Sequence, residues 1–442
     1  MQVVKVAWCW CADGLRADVA LELDDGRVRA VVPGDRWPEI PTAPRSLALP
    51  GLVNAHSHAF QRAFRGHVQW RAEGRDDFWS WRDRMYATAN ELTPEGVEAV
   101  SALAFLEMAE AGVTSVGEFH YLHHAPDGAR YADPDELARR VIAAAERVGI
   151  RICLLRTAYL RAGPGRPLRP DQRRFGDVDA DEVLAAIGRL GSAAGPTVTV
   201  GLAPHSVRAV DPDTLRALAA FRGVVHAHVS EQPAENEQCA AENGCSPLAL
   251  LDRCGLLSER LVAVHLTHPM PGDEQLLIDA GAAVCVCPST ELDLGDGLLP
   301  LSLRQRARAC LGSDSHAVID PWSELRTLEL HGRAQALRRN VLAPEGQGHG
   351  LAERLLRAAT AEGARALGGS AAGISPGAPA DLVVLDLDRV AADGVPPLEA
   401  AAFVATPEWV REVWVAGRRV VDGGRHPSRD DIRAAAAPFL PR

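Results

Sequence analysis

The sequence predicts an α/β protein, a (β/α)8 TIM barrel with a small β-sandwich domain formed from the N- and C-terminal segments. Three observations predict it. Eight short apolar runs recur through the middle of the chain, with helical patterns between them. Both ends alternate apolar and polar residues with period two instead. The length, 442 residues, suits one large barrel plus a smaller unit better than a single ordinary core.

The eight runs are 52–56, 113–118, 151–157, 197–202, 224–230, 261–266, 282–287 and 307–313. Amphipathic stretches such as 93–111 and 134–148 separate them. Strands alternating with helices imply parallel βαβ units, and eight such units fit a closed barrel. At the ends, 19–23, 26–32, 381–386 and 413–421 carry the alternation of antiparallel hairpins. The expected division is 1–49 with 374–442 for the sandwich, and 50–373 for a metal-dependent barrel.

Composition narrows the function. No run of eighteen apolar residues appears, so no membrane span is expected. Acidic residues come too early for a secretory signal, and nine scattered cysteines do not form a disulfide framework. A cytoplasmic location is the expectation. The net charge of −11 argues against nucleic acid as a partner. Lys5 is the only lysine among 47 basic residues, which excludes a P-loop lysine, a Schiff-base lysine and a carboxylated lysine bridging two metals. There is no G-x-S-x-G elbow and no GxGxxG after a strand. The pairs Cys9/Cys11 and Cys285/Cys287 have C-x-C spacing and are expected to pack inside strands.

The strongest local signal is His56-Ser57-His58 at the end of the first run. Two residues apart on a strand, both imidazoles point the same way, about 6.6 Å apart along the chain. His228 ends the fifth run, and Asp314 follows the eighth within Leu311-Gly-Ser-Asp-Ser315. In a parallel barrel every strand's C-terminal end opens on one face, so these four converge. Three neutral imidazoles and a carboxylate suit one divalent ion, zinc first and iron second. His226 faces the same way one step deeper and competes with His228.

Glu231 lies three residues beyond His228, in reach of a water at the metal or of a leaving nitrogen, and His265 ends the sixth run in the same layer. The acid–base reading gives Asp314 the first proton and Glu231 the proton delivered to nitrogen. His265 then bonds the attacking oxygen. His268 is expected to be peripheral. His120, His123 and His124 read either as a second metal site or as solvated or substrate-facing loop histidines.

These residues resemble a known family. Leu49-Pro-Gly-Leu-Val-Asn-Ala-His-Ser-His58 resembles the opening motif of amidohydrolase-superfamily deaminases. Residues 373–386, GISPGAPADLVVLD, are similar to their closing β-sandwich signature. The four ligands and Glu231 fall where the mononuclear branch, which lacks the bridging lysine, places them. Residues 58–66 (HAFQRAFRG), 78–86 (FWSWRDRMY), 117–124 (GEFHYLHH), 204–208 (PHSVR) and 287–291 (CPSTE) resemble the members acting on N-formimidoyl amino acids.

That resemblance implies hydrolytic release of ammonia and substrate roles for Gln61, Arg82, Tyr121, His205 and Arg208. It also implies a homodimer and a small dicarboxylate substrate. Arg82 and Arg208 would each clamp one carboxylate, a task that guanidinium geometry suits. Asp293 stands where the family is expected to have asparagine, which would put an extra carboxylate near a dianionic substrate. The rival readings are a deaminase of another formimidoyl amino acid or of a heterocycle, and a non-catalytic scaffold. The intact ligand set stands against the scaffold.

Overall fold

The computed structural model describes residues 1–70, 77–346 and 350–441. Four strands open the chain: β1 (Gln2–Cys11), β2 (Gly14–Asp24), β3 (Arg27–Pro33) and β4 (Ala43–Pro50). Eight follow in the middle: β5 (Leu52–Ser57), β6 (Val113–His120), β7 (Arg151–Ala158), β8 (Val198–Pro204), β9 (Val225–Val229), β10 (Leu261–His265), β11 (Ala283–Val286) and β12 (Arg308–Leu311). Three close it: β13 (Leu382–Asp386), β14 (Val410–Val415) and β15 (Arg418–Asp422).

Strands β5 to β12 lie side by side in chain order, each parallel to the next. The last meets the first across a parallel bridge between Ser57 and Asp314. There Ser313 and Asp314 donate backbone N–H groups to His56 O at 3.1 and 3.0 Å, and His58 N–H returns one to Asp314 O at 3.1 Å. The eight apolar runs thus form a (β/α)8 barrel. The lumen beneath the rim is filled by small side chains, including Ala55, Val264, Cys285, Cys287 and Cys310, all buried. Gly312 permits the closure: a Cβ there would stand 2.7 Å from His56 Cβ and 2.8 Å from His56 O.

The helices between strands form where apolar spacing and caps coincide. Helix Pro94–Glu110 begins with Thr93, whose Oγ1 accepts the Gly96 N–H at 3.2 Å, and has proline in its first turn. Helix Glu136–Val148 buries Leu137, Val141, Ala144 and Val148, one face at helical spacing.

The ends build one seven-stranded sheet, ordered β15-β14-β13-β4-β1-β2-β3. The join is the antiparallel pair β4–β13, with Leu49 opposite Val383. Asp25-Gly26 turns β2 into β3 with positive φ at both residues, 47° and 71°, the backbone a tight two-residue hairpin requires. The nine cysteines are free, and all but Cys245 are buried. Among the described residues no helix is long and apolar enough to cross a membrane.

Candidate metal centre and cleft

Strand ends place the chemistry. His56 lies at the end of β5, His58 just past it, His228 near the end of β9, and Asp314 just past β12. Their ligand atoms meet although the residues come from distant parts of the chain. His56 Nε2 and His228 Nε2 are 3.2 Å apart. Asp314 Oδ1 stands 3.4 Å from His56 Nε2 and 3.3 Å from His58 Nε2. The clusters His56/His58/His228 and His56/His265/Asp314 each bring their ligand atoms within 4.8 Å of one another. Among the described residues no other group of three does so.

The ring orientations suit an ion. His58 Nδ1–H donates to Phe119 O and His228 Nδ1–H to His205 O, both at 2.9 Å. Each bond fixes the tautomer and leaves Nε2 as a lone pair facing the cluster, the usual second contact of a metal-bound histidine. Burial keeps all three rings neutral. It draws His56 down to about 3, lowers His58 and holds His228 well below the ordinary histidine range. Burial opposes charge on Asp314 too, but the bond to His56 and the neighbouring imidazoles hold its carboxyl below the usual range. Three neutral nitrogens, with a carboxylate oxygen within 3.4 Å of two of them, are a fitting donor set for a first-row ion.

The backbone is held in an unusual shape to make this rim. His265 and Asp314 have φ of +71° and +45°. Left-handed backbone costs a non-glycine residue roughly 1–3 kcal/mol, so the surroundings must enforce it. Asn54 does part of that: Oδ1 accepts the Ser313 N–H at 3.0 Å and Nδ2 donates to Ser313 Oγ at 2.6 Å. Glu118, buried, accepts from Ser57 Oγ at 2.5 Å and Ala59 N–H at 2.7 Å, pinning the loop that carries His58.

Glu231 and His265 flank the cluster. His265 Nε2 lies 3.7 Å from Glu231 Oε1 and 3.6 Å from Asp314 Oδ2, while Nδ1 faces Glu291 Oε1 at 3.4 Å. Burial opposes a charged ring, yet Glu231, Glu291 and Asp314 push His265 up to about 10. Burial also raises the Glu231 carboxyl. His265 Nε2 faces the carboxylates of Glu231 and Asp314 at ion-pair distance and has no hydrogen-bond partner among the described residues.

Above the cluster opens a cleft of roughly 590 Å³, its open mouth included. His58, His228, Glu231 and Asp314 form its floor, and Gln61, Arg82, Tyr121, His205 and Arg208 line its wall. All five residues expected to meet substrate are thus in one cleft. Gln61 donates to Tyr121 OH at 2.9 Å. Arg82 lies over the Trp79 ring at 4.5 Å and Arg208 over the same ring at 6.0 Å. The Nε atoms of both arginines are buried without an acceptor. The nearest carboxylate to Arg208 is Glu231, at 3.6 Å.

The histidine alternatives resolve. His226 sits deeper in the barrel and bonds Ala366 O at 2.8 Å, away from the cluster. His268, half-buried, bonds Asp296 O at 2.6 Å. His120, His123 and His124 correct the expectation: they are neither solvated nor in the cleft. They are 3%, 5% and 8% exposed, and His123 and His124 bond the carbonyls of Thr157 and Gly176. Asp293 is corrected as well. It is exposed and accepts from Gln69 Nε2 at 3.0 Å, while its neighbour Leu294 faces the cleft. Glu291, Glu118 and Asn54 were given no role by the sequence. Their signal was only their place beside the ligand-bearing strand ends.

The sequence profile described as Amidohydrolase family matches residues 47–420. The chain belongs to the amidohydrolase family. Within it, the chain is 39% identical over 393 residues to a formimidoylglutamate deiminase of Pseudomonas aeruginosa, covering 86% of each chain. It is 31% identical to a 5-methylthioadenosine/S-adenosylhomocysteine deaminase of Natronomonas pharaonis, covering 84% of this chain and 80% of that one. An amidohydrolase of Brucella melitensis superposes with a TM-score of 0.91 at 33% identity, over 100% of this chain and 99% of the other. An adenosine deaminase of Xanthomonas campestris solved with bound zinc gives 0.83 at 26%, over 99% and 97%. This amidohydrolase is therefore a metal-binding hydrolase acting on C–N bonds, with deaminase chemistry.

Proposed function

We propose that the chain hydrolyses N-formimidoyl-L-glutamate to N-formyl-L-glutamate and ammonia, a step in histidine degradation. The observation that carries this reading is the pair Arg82 and Arg208, two guanidiniums with buried, unpaired Nε–H groups in the cleft above the ligand cluster. Two fixed forks suit a substrate with two carboxylates. A neutral heterocycle would bring no carboxylate to either guanidinium and would leave their buried Nε–H groups unpaired. The likeness to the Pseudomonas aeruginosa deiminase supports the same substrate.

His56, His58, His228 and Asp314 hold one divalent ion in this account, with zinc favoured over ferrous iron by the donor set and by the zinc-bound relative. When bound, the ion supplies Lewis acidity that brings a water's pKa toward about 7.

The chain's own groups do the rest. Asp314 Oδ2, on the side of the carboxylate facing His265, takes a proton from the attacking water. The water oxygen bonds the formimidoyl carbon and the C=N bond opens to a single bond. Glu231 gives a proton to that nitrogen, takes the one the new hydroxyl releases as the C=O bond forms, and passes it to the departing amine. The C–N bond breaks, ammonia leaves, and the proton held by Asp314 returns to Glu231 to reset the site. His265, held by Glu291, donates from Nε2 to the new C–O oxygen. Gln61, Tyr121 and His205 position the amidine, and Arg82 and Arg208 each hold one carboxylate.

Ammonia release from N-formimidoyl-L-glutamate, N-formimidoyl-L-aspartate, guanine, cytosine and 5-methylthioadenosine tests the reading. Turnover of the first is expected to exceed the others by orders of magnitude. Turnover of a heterocycle without turnover of the first overturns it.

A further inference from the structure

Two tyrosines line the cleft, and the chemistry above uses neither. Tyr86 and Tyr159 are 3% and 5% exposed, with hydroxyls 3.2 Å apart. Gln172, 1% exposed, donates through Nε2 to both, at 3.1 Å to Tyr86 and 3.0 Å to Tyr159. The direction of its amide follows from the other end, where Oε1 accepts the Arg169 N–H at 3.0 Å.

The proton count is then closed. The two amide hydrogens of Gln172 occupy one lone pair on each phenolic oxygen. One phenol donates to the other. One O–H remains, and among the described residues neither hydroxyl has a further partner. A donor left over at the cleft wall is free to meet an acceptor from outside the chain.

The surroundings say which kind. Arg82 lies 5.7 Å over the Tyr86 ring, and Arg208 shares the same cleft. The rings are held in place: Phe175 packs on Tyr86 at 5.4 Å and on Tyr159 at 5.9 Å, and His205 packs edge-on against Tyr159 at 4.8 Å. A fixed neutral donor beside two cations fits an oxyanion.

Building on the dicarboxylate reading, we propose that the Tyr86–Tyr159 pair, tethered by Gln172, donates one O–H to a substrate carboxylate beside the Arg82 and Arg208 clamps. The pair acts on binding and specificity and takes no part in bond making. Because it is neutral, its loss weakens the grip on an anion without changing the charge of the cleft.

The test compares wild type with Tyr86→Phe, Tyr159→Phe and the double variant. Readouts are KM and kcat for N-formimidoyl-L-glutamate, the Kd of glutarate by calorimetry, and the melting temperature. In the double variant KM and the glutarate Kd rise about tenfold to a hundredfold, the scale of a lost hydrogen bond to a charged group. The accompanying fall in kcat is much smaller. Single variants fall between, because the surviving hydroxyl can turn to the carboxylate.

Unchanged glutarate affinity in the double variant overturns the inference, as does a wild type that binds no glutarate. A lowered melting temperature with unchanged affinity also overturns it, since the pair is then only packing. If wild type releases no ammonia from N-formimidoyl-L-glutamate but loses glutarate affinity in the double variant, the substrate reading falls and the anion donor stands.

Discussion

His265 and Glu291 meet Nδ1 to Oε1 at 3.4 Å, with both side chains withdrawn from solvent. Glu291 also accepts the Cys287 N–H at 2.9 Å, so it is fixed before it fixes the ring. The contact aims His265 Nε2 between Glu231 and Asp314, where an attacking oxygen must be held. Glu291→Gln is expected to lower kcat about tenfold to a hundredfold, the usual cost of losing an outer partner of a site. Metal content and KM should change little. Steady-state kinetics with metal analysis check this, and an unchanged kcat would remove Glu291 from the account.

Glu231 is the proton carrier in the proposed reaction. Glu231→Gln keeps the shape and removes the titratable group. It is expected to lower kcat by about 10²- to 10⁴-fold, the range for general acid–base catalysis, with metal retained. Single-turnover ammonia release measures the step directly.

Arg82 and Arg208 carry the substrate assignment. Arg82→Met and Arg208→Met keep side-chain bulk and remove the fork. Each is expected to raise KM for N-formimidoyl-L-glutamate about tenfold to a hundredfold, and Lys at either position restores it only in part. A substrate with one carboxylate replaced by an amide should lose least in the variant whose arginine held that group. Equal losses with both amides in both variants would contradict one clamp per carboxylate.

Glu324 anchors the turn before Glu291, accepting from Ser289 N–H at 3.0 Å and from the Ser289 hydroxyl. Burial pushes its carboxyl up to about 8 against those bonds. A raised acid holds its proton in the folded chain after the unfolded chain has lost it near pH 4.5. Its stabilising contribution is therefore complete below that pH and is lost as pH rises toward 8. Glu324→Gln removes the titration, and the gap between variant and wild type should shift in the variant's favour between pH 5 and 8.5, by up to about 4 kcal/mol. Thermal melts across that range check the sign.

The clustering of His56, His58, His228 and Asp314 at one rim was legible because topology does most of the work. A parallel barrel delivers every strand end to one rim, and period two puts His56 and His58 on one face. The expected pairing of the chain ends appears in the β4–β13 contact. What the sequence could not show is what two distant segments do where they touch. Asn54 reaches Ser313, Glu118 reaches Ser57 and Gln172 reaches Tyr86 and Tyr159 only once register and loop path are set. His123 and His124 looked like loop histidines, but their backbone N–H groups both bond Arg174 O at 3.0 Å, which draws them under the neighbouring segment. Asp293 and Leu294 show the limit at single-residue scale, since one faces solvent and the other the cleft.

The proposed chemistry depends most on one ion held by His56, His58, His228 and Asp314. Metal content of wild type, His58→Ala and Asp314→Ala by plasma mass spectrometry, after dialysis against metal-free buffer, tests that most directly. One divalent ion per chain in wild type, falling toward zero in both variants together with ammonia release, is the predicted result. Two ions per chain, or full metal content in either variant, would contradict it.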